Sequence, residues 1–137
     1  MKYIKQRHAR GCGAACLAMV AGINYNRAVR LIQPLRQKGE PFNGTALEDL
    51  LRSLNILETS YRIYFGQKLH NIRNNAYIAL TLPCGCRHAV AWDTENKRIL
   101  DPDPLGPDDE DHLGGQFRLT KRYIEKNLNY IVEIIPS

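Results

Sequence analysis

Apolar positions along this chain keep a helical spacing up to about residue 58 and a shorter one after it. Residues 11–20 are a run of small and apolar side chains opening one helix, and Gly22 follows as a C-terminal stop. A second helix is predicted from Asn26 as its cap through Leu31 and Ile32, with Pro34 stopping or kinking it. Turn formers fill 38–44. Thr45 and Glu48 then form a capping-box pattern ahead of Leu47, Leu50, Leu51 and Leu54, which recur at helical spacing. Beyond residue 59 the period falls to two. Tyr61, Ile63 and Phe65 alternate with Arg62 and Tyr64 as in a strand, and the apolar run 76–82 has the length of a covered strand. Residues 68–74 suit one helical turn, 88–93 and 98–100 a hairpin across 94–97, 120–127 a helix and 130–134 a last strand. A short strand at 3–5 would lead in. Helices first and strands second predict an α+β domain in which N-terminal helices pack on a C-terminal antiparallel sheet.

At 137 residues and 44% hydrophobic, the chain suits one domain over 1–137 with one core. It has no run of about 18 apolar residues, and its charged start leads into no secretory apolar segment. A soluble, cytoplasmic protein is the expectation. The four cysteines, at 12, 16, 84 and 86, are then expected as free thiols, because a reducing compartment keeps them so. The net charge of +5 is spread over Lys2, Lys5, Arg7, Arg10, Arg27, Arg30, Arg36 and Lys38. Neither aromatic platforms nor a nucleic-acid motif accompany it, so no nucleic-acid partner is expected. Nothing in the pattern fixes an oligomeric state.

Cys12 is the first candidate for chemistry. A helix N-terminus leaves N–H groups unpaired and carries partial positive charge, which favours thiolate over thiol. Gly11 and Gly13 leave room for a substrate backbone. The hairpin supplies partners: if it closes symmetrically, Trp92 faces Ile99, Val90 faces Asp101, and His88 and Asp101 become diagonal neighbours on one face. A thiol hydrolase needs a nucleophile, an imidazole to move its proton and a polar group to hold that imidazole. Cys12, His88 and Asp101 meet those needs. Each also has a plainer reading: a buried core cysteine, a histidine near a hairpin end, and a turn-initiating Asp-Pro.

Gln6, Cys12 and the run Gly13-Ala14-Ala15-Cys16-Leu17-Ala18-Met19-Val20 together resemble the cysteine box of the bacteriocin-processing (double-glycine) peptidases and their stand-alone relatives. His88-Ala89-Val90-Ala91-Trp92, followed by Ile99-Leu100-Asp101-Pro102, resembles that family's histidine strand and downstream Asp-Pro. The resemblance implies a papain-like fold, Cys12 as nucleophile, His88 as base and Asp101 as orienting residue. It also implies Gln6 and the Cys12 N–H as an oxyanion hole, a peptide or protein as substrate, and no cofactor.

Two features depart from the family. Gly11 stands where leader-processing members often carry an acidic residue, so leader specificity does not transfer. The fused transporter of many members is not expected here either. Other readings attach to the remaining motifs: Cys84, Cys86 and His88 as zinc ligands or a redox contact at the cleft, and Gly114-Gly115 as a self-cleavage site or a turn. Cys16 is expected to pack inward. Two alternatives to peptide hydrolysis remain, an amidase or acyltransferase with the same triad and a papain-like binding module without turnover.

Overall fold

The computed structural model describes residues 1–7, 11–37, 44–54, 62–64, 69–83, 85, 87–102 and 121–134. Three helices come first: α1 (Cys12–Ala21), α2 (Tyr25–Gln37) and α3 (Gly44–Ser53). Strands β1 (Arg62–Tyr64), β2 (Ala76–Thr81), β3 (Arg87–Asp93) and β4 (Arg98–Leu100) follow, with a 3-10 turn at Leu69–Asn71 before β2. A short helix α4 (Lys121–Lys126) and strand β5 (Leu128–Glu133) complete the described elements. The expected order of helices and then strands is met. All pairings are antiparallel in the order β1-β5-β2-β3-β4, so the last strand lies inside the sheet, between β1 and β2.

Alternation along the strands gives the sheet two apolar faces. Tyr77 and Ala79 of β2, Ala89 and Ala91 of β3, and Tyr130 and Val132 of β5 pack with α1, α2 and α3. Ile78, Leu80, Val90, Trp92 and Ile131 pack on the other side with Leu69, Ile72 and Ile124. α1 is apolar all round and is buried without a break from Gly13 to Val20, as a helix covered on every side must be. Its Ala14, Ala15 and Ala18 share one core cluster with Ala79, Ala89 and Ala91, and small side chains on both surfaces allow a close approach. That packing delivers the N-terminus of α1 to β3.

Local details correct three expectations. Residues 3–5 form no strand. Instead the Tyr3 hydroxyl donates to the Asp101 carbonyl (2.8 Å) and the Gln6 N–H to the Pro102 carbonyl (2.9 Å). The cap of α2 is Asn24 and not Asn26: Asn24 Oδ1 accepts the Arg27 N–H at 2.8 Å, the usual reach from an N-cap. Pro34 does not stop α2, which continues to Gln37. α3 begins at Gly44, which puts Thr45 inside its first turn, and the side chains of the capping box are outside those described. Gly22 does close α1, in the left-handed conformation (φ 69°), with its N–H on the Ala18 carbonyl.

Candidate active site

Cys12 is the first residue of α1, and its predecessor Gly11 offers no side-chain cap. The N–H groups there are left to the thiol, and the N–H of Gly13 bonds to it. From the sheet, β4 ends at Leu100 opposite Ala91, so β3 runs on past it towards His88 and Ala89. The Ala89 N–H also bonds to the thiol.

His88 and Asp101 meet as the hairpin register requires. Trp92 pairs with Ile99 and Ala91 with Leu100, and His88 Nε2 lies 2.9 Å from Asp101 Oδ1. The His88 side chain is 2% exposed, while that of Asp101 is 30% exposed. With Nε2 engaged by the carboxylate, Nδ1 is the ring nitrogen left for the thiol.

The charges couple. Burial pushes the Cys12 thiol up, but the hydrogen bond and charge of His88, with the Ala89 and Gly13 N–H groups, hold it below its ordinary value. Burial works against a charged His88, yet the Asp101 hydrogen bond, the Cys12 hydrogen bond and both negative charges push it up to about 10. Opposite shifts in a thiol and an imidazole favour a thiolate–imidazolium pair. Cys16 behaves oppositely to Cys12. It is fully buried one turn into α1, and burial pushes its thiol well up, with Cys12 and Asp101 adding to the effect.

Gln6 is buried, and its N–H bond to Pro102 ties it to the segment that carries Asp101. Cys84 and Cys86 are outside the described residues, as are Gly114 and Gly115, so the zinc, redox and self-cleavage readings fall there too. Among the described residues, no three His, Cys, Asp or Glu side chains form a metal-sized cluster. Sequence reasoning missed the Ala89 N–H and the Tyr3 contact. Neither had a signal, since one is a main-chain group and the other spans 98 residues.

The model of the Peptidase C39 family matches residues 1–95. The chain belongs to the Peptidase C39 family. The match takes in Gln6, Cys12 and His88 and ends before Asp101, β4, α4 and β5. No curated protein matches the chain. Helices at the N-terminal side of an antiparallel sheet are the α+β arrangement of a papain-like member of this family. Membership supports a cysteine-peptidase type of function and a peptide as substrate. No helix among the described residues is long and apolar enough to cross a membrane.

Proposed function

We propose that the protein is a cysteine peptidase that cleaves a peptide bond through Cys12, His88 and Asp101, in one papain-like domain over residues 1–137. One observation carries the reading. His88 joins the Asp101 carboxylate on one side and the Cys12 thiol on the other, and the thiol and imidazole shift in opposite directions. The single domain is supported by β5, which sits between β1 and β2 although it is last in the chain.

In this reading the Cys12 thiolate attacks the scissile carbonyl carbon, and the carbonyl electron pair moves onto oxygen. The Cys12 N–H and the Gln6 side-chain amide stabilise that oxyanion. Protonated His88 gives its proton to the amide nitrogen, the C–N bond breaks, and the amine leaves an acyl-thioester on Cys12. Water then attacks the thioester carbonyl while neutral His88 takes its proton. The C–S bond breaks, the acid departs, and the thiolate–imidazolium pair is restored. Asp101 holds the ring throughout and stabilises its charged form. Cys12 and Cys16 are both free thiols, which suits the reducing cytoplasm.

Intact-mass labelling with a peptide-aldehyde or epoxide thiol-protease probe tests the assignment on the wild type, Cys12→Ala and His88→Ala. One equivalent on the wild type and none on either variant is expected. Labelling that persists in Cys12→Ala would assign the reactive thiol elsewhere and end the proposal.

A further inference from the structure

We infer that Tyr3 is a positioning residue for Asp101, an inference that rests on the peptidase reading above. The Tyr3 hydroxyl donates to the Asp101 main-chain carbonyl at 2.8 Å across 98 residues of sequence. Asp101 lies one residue beyond the end of β4, so the sheet ladder no longer sets its backbone. Its side chain is 30% exposed, and water competes for the carboxylate that must face His88. Restraint through the main chain therefore adds to the His88 contact.

Three restraints converge there. Pro102 confines the residue before it to extended backbone. The Gln6 N–H holds the Pro102 carbonyl at 2.9 Å, and Tyr3 holds the carbonyl of Asp101 itself. The first two need only main-chain groups and a proline. Tyr3 is the side chain of the set, and at 40% exposed it adds little to the core. Its hydroxyl fixes where the carboxylate starts from, and through Asp101 it acts on the ring of His88. The same lead-in carries Gln6, so one segment steadies both the carboxylate and the proposed oxyanion donor.

Tyr3→Phe removes only the hydroxyl. The experiment follows the rate of Cys12 alkylation by iodoacetamide against pH and the His88 imidazole titration by NMR, in the wild type, Tyr3→Phe, Asp101→Asn and the double variant, with melting temperatures alongside. Tyr3→Phe is expected to move the rising limb of the alkylation profile to higher pH. At pH 6 it slows alkylation by about threefold to tenfold, the loss of one hydrogen bond's worth of restraint. His88 then titrates at lower pH than in the wild type. In the Asp101→Asn background the substitution has no further effect, because the residue it acts through is already altered. A Tyr3→Phe profile that superimposes on the wild type overturns the inference, whatever the melting temperature does. A full Tyr3→Phe effect in the Asp101→Asn background overturns it also. A wild type in which Cys12 reacts no faster than a denatured thiol defeats the peptidase reading itself, and Tyr3 with it.

Discussion

His88 Nε2 and Asp101 Oδ1 are 2.9 Å apart, one on β3 and the other just past β4, across a hairpin with a four-residue turn. The pairing keeps the charged imidazole in a place where burial alone would neutralise it. Asp101→Asn is expected to lower the His88 pKa from about 10 and to cut peptidase turnover by about 10²- to 10⁴-fold. NMR titration of the imidazole checks the first effect and a fluorogenic peptide assay the second. A His88 pKa unchanged in Asp101→Asn would refute the assignment of the carboxylate.

The opposite shifts of Cys12 and His88 predict a bell-shaped pH dependence of peptide hydrolysis. The working pair is present above the depressed pKa of Cys12 and below that of His88. Activity therefore rises at a pH below the ordinary thiol range and falls near pH 10. Iodoacetamide should modify Cys12 at pH 6 while Cys16 stays unmodified, since burial keeps Cys16 protonated and out of reach. Peptide mapping after alkylation distinguishes the two thiols.

Asp93 ties the β3–β4 turn together. Its buried carboxylate accepts Asn96 Nδ2 (2.9 Å), Arg98 Nε (3.2 Å) and, at 3.4 Å, the Asn96 N–H. The Asn96 hydrogen bond leads in holding its pKa below the ordinary 3.8, against the burial that raises it. A depressed carboxylate stabilises the fold above its unfolded pKa, and that contribution is lost as pH falls through the folded value. Asp93→Asn should cost about 1–3 kcal/mol at pH 7. The gap from the wild type should narrow by pH 3, as read from urea midpoints at the two pH values. A gap that widens in acid contradicts the sign.

Glu133, at the end of β5, caps the approach to β2. One oxygen, Oε1, accepts the N–H groups of Arg73 and Asn74, both at 2.9 Å, and Asn74 Nδ2 at 3.0 Å. Glu133→Ala leaves these donors without their acceptor and should destabilise by about 2–4 kcal/mol. Glu133→Gln keeps a carbonyl oxygen, so about 1–2 kcal/mol is expected. Urea unfolding that ranks Gln below Ala in stability would rule out this account.

The order of the elements was legible from one residue type at a time. Leu47, Leu50 and Leu51 mark α3, the run from Ala76 marks β2, and the two ends of the hairpin bring His88 to Asp101. These are local signals, carried by periodicity and by a turn that fixes register. The same locality misplaced the cap of α2, because Asn24 and Asn26 have the same chemistry and only the observed backbone tells them apart. At Pro34 the sequence left a stop or a kink open, and the helix does not stop there. Its missing N–H argues for a helix end, but propensity is a weak local term that packing of the surrounding helix overrides.

By itself, then, the sequence determined which side chains are candidates for the chemistry: a cysteine at a helix start, and a histidine and an aspartate at hairpin positions of matching parity. Only the tertiary structure decided that α1 meets β3 where the Ala89 N–H and His88 face the thiol, and that β5 enters between β1 and β2. It also turned a lead-in that reads as a strand into a clasp on Asp101 and Pro102. The reason is physical. Periodicity and capping act over a few residues, whereas those contacts join groups tens of residues apart, through main-chain atoms that every residue type shares.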